Sequence, residues 1–214
     1  MGHASLREVL ESIGKKCSDC PLSEERAWRL VLIKPASKNI RAMVVSESPG
    51  GRAGEVERLV SAANVPTFPY IYTVTGGLFA PLECDYWTHV CKCYLKDVDH
   101  SVKRKAISVC SGSYLRAEVE AARPRLILAV GEAALKFFAK EAEDKRLKGR
   151  LIEVFRRQAE EGVYRGLRVG SASFSLTVLP HPSGRSRFWN RLMDKDLKAF
   201  NRVVGDVKAI LTEP

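Results

Sequence analysis

Four cysteines have a spacing that could hold a metal centre. Cys17 and Cys20 form a C-x2-C pair near the start of the chain, while Cys93 and Cys110 lie far downstream on either side of a basic stretch. A close pair and two distant thiols can place four ligands around one centre, and they would fasten the early loop to the rest of the chain. Sulfur-only ligation suits an iron–sulfur cluster or structural zinc. The alternative is scattered buried cysteines, which pack as small hydrophobic residues.

Four polar, turn-rich segments are the other candidates for chemistry. They are the S-E-S-P-G-G run at 46–51, the region of His89, the Gly131-Glu132 pair and the H-P-S run that starts at His181. Each one lies at the end of an apolar run that predicts a strand. Ligands in open α/β sheets bind beyond the carboxyl ends of the strands, so we expect these segments to form one site. The alternative is that they are ordinary connections.

The elements that must position these residues alternate along the chain. Apolar runs predict strands, and amphipathic stretches predict the helices between them. The predicted strands cover 42–45, 86–91, 126–130 and 175–179. The predicted helices cover 6–13, 54–63, 101–121, 132–140 and 191–211. This alternation predicts a parallel sheet with helices on both faces, which is a three-layer α/β/α sandwich. We expect the charged stretch 140–150 to be a solvated loop or a helix end.

The composition is that of an ordinary globular chain with an excess of basic residues. Hydrophobic residues make up 45% and charged residues 28% of the 214 residues, and we expect a single domain over residues 1–214. The formal charge of +10 favours a polyanionic partner such as nucleic acid. The apolar runs are too short to span a bilayer, and the first residues lack the apolar core of a secretory signal. We therefore expect a cytoplasmic protein without a membrane partner, in a compartment where metal ligation is favoured over disulfides.

The motifs also resemble those of a known family. Residues 44–51 (V-V-S-E-S-P-G-G) resemble the G-E-A-P-G motif of the family 4 uracil-DNA glycosylases, the iron–sulfur branch of their superfamily. Residues 179–183 (L-P-H-P-S) match the H-P-S motif that closes that family's active site, and residues 88–93 (T-H-V-C-K-C) stand where the family has T-N-V-V-K-C. Residues 110–115 resemble its C-x3-Y-L segment, and residues 124–134 its P-x-x-I-x3-G-x2-A block. The ordered set covers most of the chain.

The resemblance implies a fold, a cofactor and a reaction. The fold would be built on a four-stranded parallel sheet. The cofactor would be a structural [4Fe-4S] cluster bound by Cys17, Cys20, Cys93 and Cys110. The reaction would be cleavage of the N-glycosidic bond of a deaminated base, which leaves the DNA stack and enters a pocket.

For catalysis, the resemblance implies roles for Glu47 and His181. His181 would donate a hydrogen bond to the negative charge that develops on the departing base. Glu47 would position or activate the attacking water and stabilise the cationic sugar. The alternatives are a loop histidine beside a rigid turn and a carboxylate that only caps its loop.

Further contacts to the flipped base and to DNA are expected around these two residues. Tyr70 is the first choice for stacking on the base and Phe79 the second. The alternative for Tyr70 is a place in the core. Arg185 and Arg187 lie in a basic, aromatic loop that suits phosphate contact. The remaining substrate-binding candidates are Ser46, Ser48, Gly50, His89 and Ser183.

Three positions depart from the family pattern. His89 replaces the asparagine that reads uracil, and imidazole cannot present the paired geometry of an amide. Hypoxanthine and xanthine are therefore alternatives to uracil. Ser46 replaces a glycine. Cys91 replaces a valine and would share a strand face with Cys93, yet it stays outside the expected ligand set together with Cys84.

The leading interpretation is a monomeric, monofunctional DNA glycosylase of base excision repair. A competing interpretation is a nucleic-acid-binding protein of the same fold that has lost catalysis through the change at His89. The presence of Glu47 and His181 argues against this second interpretation, because a protein that only binds needs neither. A third is a zinc protein that uses the same four thiols.

Overall fold

A computed structural model describes residues 4–13, 17–35, 39–51, 67–77, 85–182 and 196–213. Several predictions concern residues outside these ranges. They are the helix expected over 54–63, the start of the helix expected from 191, and the roles of Phe79, Cys84, Ser183, Arg185 and Arg187.

A five-stranded sheet forms the centre of the described structure. Its strands are β1 (Ala42–Ser46), β2 (Tyr86–His89), β3 (Leu126–Val130), β4 (Tyr164–Val169) and β5 (Ala172–Leu179). They are ordered β2-β1-β3-β5-β4, and the first four in this order are mutually parallel. This order confirms the predicted α/β fold with its parallel sheet.

The predicted number of strands was wrong by one. Strand β4 pairs antiparallel with β5, which begins at Ala172 and so is longer than the predicted 175–179. Along β4, exposed Arg165 and Arg168 alternate with buried apolar residues. One face of an antiparallel edge strand can remain solvated, so β4 lacks the continuous apolar run by which the other strands were found.

Helices cover both faces of the sheet. They are α1 (Leu6–Ile13), α2 (Arg26–Arg29), α3 (Thr67–Val74), α4 (His100–Cys110), α5 (Arg116–Ala122), α6 (Glu132–Glu141), α7 (Leu151–Glu161) and α8 (Leu197–Thr212). A π-helical turn, Ser111–Leu115, joins α4 to α5, so one long helical segment occupies nearly the range expected from the sequence. Among the helices of the described ranges, none is long and apolar enough to cross a bilayer.

Alternate residues of β1 enter the two layers of the core. Met43 and Val45 pack with apolar residues of α5 and α6 on one face of the sheet. Ala42 and Val44 pack with apolar residues of α3, α7 and α8 on the other face. This period of two is expected for a strand buried on both sides. The three-layer arrangement is thereby confirmed.

Candidate active site and thiol cluster

The carboxyl ends of the four parallel strands bring the predicted polar segments to one edge of the sheet. Ser46 at the end of β1 is in register with His89 at the end of β2. The pairing continues past the strands, because Cys91 N–H donates to the carbonyl of Glu47 at 2.9 Å. At the other side of the edge, Gly131 N–H donates to the carbonyl of Leu179 at 2.8 Å. Glu47 therefore lies at the same edge of the sheet as the segments that carry His89, Gly131 and His181.

Glu47 is held by a lysine of a neighbouring helix. The Nζ atom of Lys103, on the first turns of α4, lies 2.5 Å from Oε1 of Glu47. The two side chains are 34% and 39% exposed, so the pair faces the solvent-accessible edge. Lys103 belongs to a basic run to which the sequence assigned no specific role. In the structure this residue orients the candidate catalytic carboxylate.

His181 follows β5 and is supported by a glycine. Its side chain is exposed, whereas the next residue, Pro182, is buried. Gly131 has φ +89°, and a Cβ atom at Gly131 would lie 3.6 Å from the Cβ of His181. A side chain at position 131 would be strained by this backbone conformation, and its Cβ would be in ordinary van der Waals contact with His181.

The electrostatic environment links His181 to Glu47. Neighbouring atoms that shield the imidazole from water lower its pKa, and the negative charge of Glu47 acts in the opposite direction. At neutral pH the imidazole is therefore mainly uncharged and can donate one N–H while the other nitrogen accepts. The structure thus brings both predicted catalytic residues within electrostatic range of each other.

His89 lies deeper in the same edge. The residue is only 6% exposed, and burial lowers its pKa to about 3, with the positive charge of Lys92 as a second cause. A neutral imidazole offers one donor and one acceptor, and which nitrogen carries the proton depends on its partner. The structure therefore places an uncharged, polar ring at the carboxyl end of β2.

Ser46 has a structural partner on the neighbouring strand. The indole N–H of Trp87, on β2, donates to the hydroxyl of Ser46 at 3.3 Å. Trp87 and Ser46 are both buried. A buried indole N–H requires an acceptor, and the serine provides one.

The loop that follows Ser46 carries two further candidates. Ser48 is half-buried and Gly50 is exposed among the described residues. A Cβ atom added at Gly50 would meet no atom of the described residues within 4 Å, so the geometry at Gly50 itself does not require a glycine.

The structure does not bring Tyr70 to this edge as an exposed ring. The residue is 5% exposed in the core between α3 and α8, and its ring stacks on Phe200 with centroids 5.9 Å apart. Burial raises its pKa well above the ordinary value. This packing supports the alternative that Tyr70 is a core residue, and it does not support stacking of this ring on a base.

The predicted cysteine ligands gather in a separate cluster. Cys17, Cys93 and Cys110 are buried and Cys20 is half-buried, and all four belong to one packed group of side chains. The amide of Cys20 donates to the carbonyl of Cys17 at 3.3 Å, which closes the turn of the C-x2-C pair. The early pair and the two distant thiols thus meet as the spacing suggested.

Backbone pairing fastens the early segment beside the later thiols. Leu30 forms an antiparallel bridge with Cys93. On either side of this bridge, Val31 N–H donates to the carbonyl of Lys92 and Tyr94 N–H donates to the carbonyl of Arg29, both at 2.9 Å. The chain before the sheet is therefore held to the chain after β2.

The thiols perturb one another electrostatically. Burial raises the pKa of Cys93 to about 12, and the neighbouring Cys110, Cys20 and Cys17 add to this rise. Burial is also the main cause that raises the pKa of Cys20. Deprotonated thiols so close together need positive charge, which a bound metal group would supply.

The donor set fits a metal–sulfur group by its chemistry. Thiolates alone are the ligands that iron–sulfur clusters and some zinc sites use. Within the described ranges, however, no three His, Cys, Asp or Glu side chains lie close enough together to hold a metal ion, so the fit rests on the thiolate donor set and on the shared packing of the four cysteines. The hydroxyl of Tyr114 adds a hydrogen bond to the sulfur of Cys17 at 3.6 Å.

Cys91 is a fifth thiol next to this cluster. Its side chain hydrogen-bonds to Cys110, and this contact is the main cause that lowers the Cys110 pKa to about 7. Burial, Cys110 and Cys93 together raise the pKa of Cys91. Cys91 therefore lies beside two of the four predicted ligands, Cys93 and Cys110.

Comparison with known proteins agrees with this arrangement. The family model of the uracil DNA glycosylase superfamily matches residues 34–207, which is most of the chain. The chain belongs to the uracil-DNA glycosylase superfamily. No curated protein matches it. The match includes Glu47, His89 and His181, whereas Cys17 and Cys20 precede it.

Sequence reasoning missed several residues that support this superfamily site. They are Lys103, which holds Glu47; Trp87, which holds Ser46; and the buried pair of Lys92 and Glu118 behind His89. Each of these roles depends on a contact between residues that are distant in the sequence and lie on different strands or helices. The one local signal was the K in T-H-V-C-K-C, since a lysine in an otherwise buried strand end needs partners.

Proposed function

We propose that the protein is a monofunctional DNA glycosylase that hydrolyses the N-glycosidic bond of a deaminated base during base excision repair. We expect it to act as a single-domain monomer inside the cell. Membership of the superfamily supports the reaction class. The observation that carries the proposal is that Glu47 and His181 follow β1 and β5 at the same edge of the parallel sheet, close enough for the charge of Glu47 to act on the pKa of His181.

His181 is proposed to stabilise the departing base. As the glycosidic bond breaks, negative charge develops on the carbonyl oxygens of the base. A neutral imidazole can donate an N–H to that oxygen without first releasing a proton, and the lowered pKa of His181 keeps it neutral at pH 7. One such preorganised donor is commonly worth about 2.7–4 kcal/mol of transition-state stabilisation.

Glu47 is proposed to act on the sugar side of the bond. Its carboxylate would orient the attacking water and stabilise the positive charge that grows on the sugar. The ion pair with Lys103 restricts the directions in which this carboxylate can point. Positioning of this kind is a recognised source of rate enhancement.

His89 is proposed to contact the flipped base. A deaminated base presents a carbonyl oxygen beside a ring N–H, and one neutral imidazole can satisfy either group. It cannot satisfy both in the paired manner of an asparagine amide. We therefore propose that the enzyme accepts uracil, hypoxanthine or xanthine, with a preference that differs from that of an asparagine-containing site.

The positive charge of the chain is proposed to attract the DNA backbone. The formal charge is +10. Neutralisation of phosphates by lysine and arginine releases counterions and makes such binding strongly salt-dependent. Arg185 and Arg187 remain candidates for phosphate contacts, and Ser183 for a contact near the base.

The four clustered thiols are proposed to hold a [4Fe-4S] cluster through Cys17, Cys20, Cys93 and Cys110. Its contribution would be structural, since hydrolysis of a glycosidic bond transfers no electrons. Brown colour, visible absorbance and a content near four iron and four sulfide per chain are expected. A colourless protein with bound zinc would contradict this assignment.

The experiment that tests the reaction uses short duplexes that each carry one uracil, hypoxanthine or xanthine. The purified protein is incubated with each duplex, and abasic sites are scored after mild base treatment. Cleavage of at least one of these duplexes, and none of an undamaged duplex, is expected. Tight binding without cleavage would instead support the alternative of a nucleic-acid-binding protein that has lost catalysis.

A further inference from the structure

Behind His89 lies a buried charged network that the proposed reaction does not use. The Nζ atom of Lys92 donates to the hydroxyl of Thr88 at 2.8 Å, to the carbonyl of His89 at 2.5 Å and to Oε2 of Glu118 at 2.6 Å. The side chains of Lys92 and Glu118 are 2% and 0% exposed. All three N–H donors of the lysine are therefore used inside the protein.

Stability alone is a weak reason for such a network. Removing two charges from water is costly, and a buried ion pair can often be replaced by apolar residues of similar volume without loss of stability. Removing only one partner is harmful, because it leaves the other charge buried and unpaired. The contacts that Lys92 makes therefore point to a local role.

The network holds one particular peptide unit. Strand β2 lies at an edge of the sheet, with β1 as its neighbour. The N–H of Val90 donates to the carbonyl of Ser46 on β1 at 2.7 Å, while the carbonyl of His89 accepts from Lys92 at 2.5 Å. These two groups belong to the same peptide unit, which is thus anchored on both sides. Its orientation fixes the direction in which the His89 side chain leaves the backbone.

Lys92 also connects this peptide to the thiol cluster. Its backbone N–H donates to the sulfur of Cys110 at 3.2 Å, and its carbonyl accepts from Val31 at 2.9 Å. One residue therefore contacts the backbone of His89, the α5 helix through Glu118, and the proposed cluster ligand Cys110.

We infer that Lys92, held by Glu118, is a positioning residue that sets the orientation of His89 and through it the base preference of the site. This inference rests on the proposed function. The positive charge of Lys92 also disfavours a protonated His89, which agrees with a neutral reader. Lys92 acts through His89 and does not itself contact the base.

The test uses a double variant in which both buried charges are removed, Lys92→Met with Glu118→Leu. No unpaired charge remains in this variant, so it should fold, with a melting temperature close to that of the parent and unchanged iron content. Its ratio of kcat/KM between the best and the second-best base should change at least tenfold. The kcat should fall more than KM rises, because the base still enters but is held in a poorer orientation.

A second measurement follows the His89 ring directly. The chain has four histidines, so a spectrum of ¹⁵N-labelled histidine side chains is simple, and the signal that is lost in His89→Asn identifies His89. In the double variant this signal should broaden or report a mixture of tautomers.

The matched control is Asp85→Asn, which replaces a buried carboxylate by an uncharged amide at the opposite end of the sheet. The carboxylate of Asp85 accepts from Arg41 N–H at 2.7 Å and from Ala42 N–H at 3.1 Å. It should change neither the base ratio nor the His89 signal.

Three results would overturn the inference. They are a folded double variant with a base ratio within twofold of the parent, an unchanged His89 signal in that variant, and a double variant that fails to fold. If the parent protein cleaves none of the three duplexes, the proposed function fails instead. The histidine spectrum alone then decides whether Lys92 holds His89.

Discussion

The two histidines at the edge of the sheet are held in very different ways. His89 is 6% exposed, and the peptide unit that follows it is hydrogen-bonded on both sides. His181 is exposed at the end of β5, beside Gly131. Shielding of the ring from water lowers the pKa of both, but a lysine adds to the effect at His89 while a glutamate opposes it at His181. The proposed base reader is thus buried, whereas the proposed donor is at the surface of the described structure.

This difference suggests a division of labour. A side chain that selects a base gains from a rigid setting, because wrong partners then leave buried polar groups unpaired. A side chain that stabilises developing charge can complete its geometry in the complex with DNA. The predictions below test this division, first at the exposed ring and then at the buried one.

His181→Ala should have the largest effect. Loss of one aimed hydrogen-bond donor is expected to lower kcat by about two to three decades, equivalent to about 2.7–4 kcal/mol. Binding to the damaged duplex should be nearly unchanged. Single-turnover rates and a binding titration measure the two quantities. His100→Ala, which removes an exposed histidine at the start of α4, is the matched control, and a similar loss in both variants would remove His181 from the mechanism.

His89→Asn should change selection more than rate. An amide can present a paired donor and acceptor to uracil, and contacts of this type are worth about 1–3 kcal/mol of discrimination between bases. The ratio of kcat/KM for uracil to that for hypoxanthine should therefore rise by roughly fivefold to a hundredfold. Parallel assays on the two duplexes measure it. An unchanged ratio would mean that another residue reads the base.

Ser46→Gly should weaken the buried side of the edge in a way that shows in stability. This change restores the residue typical of the family, but it removes the hydrogen bond from Trp87 and adds a flexible residue to a strand. The first loss costs about 0.5–1.5 kcal/mol and the second about 0.5–1 kcal/mol. Chemical unfolding should show a decrease of about 1–2.5 kcal/mol in the free energy of unfolding. Ser46→Ala is the control that removes only the hydrogen bond, and equal stability of all three proteins would contradict this account.

The location of the candidate site could be predicted from the sequence, because it depends only on which segments form the parallel strands. The run 126–130 is β3, as predicted, and parallel strands necessarily end at a common edge. Once the strands were identified, Glu47, His89 and His181 had to meet there. The grouping of Cys93 and Cys110 with the early pair was expected from the spacing of the cysteines, and in the structure Cys93 follows β2 and Cys110 ends α4.

Elements with mixed surfaces were harder to predict. The α3 helix contains Pro69 and several β-branched and aromatic residues, which favour strands, so its helical structure is set by packing against α8. The α7 helix was not predicted, and it follows the charged stretch 140–150, which was expected to be a solvated loop or a helix end. The partners of Glu47 and His89 were also out of reach, because Lys103 and Glu118 meet them only through the packing of α4 and α5 on the sheet.

The smallest expected effect concerns pH, and it separates the two histidines. The pKa of His89 is about 3, so this ring should stay neutral from pH 5 to pH 8. If His89 selects the base, the ratio of kcat/KM between two cleaved bases should be constant over that range.

The absolute rate can still vary as other groups titrate. One of these is His181, whose pKa is lowered by shielding from water, an effect that the charge of Glu47 opposes. A ratio that changes with a midpoint near 6.5 would show that a histidine with an ordinary pKa takes part in selection, and the division between a fixed reader and an exposed donor would then fail. Measuring rates for both bases in the same buffers cancels effects on DNA binding that the two substrates share.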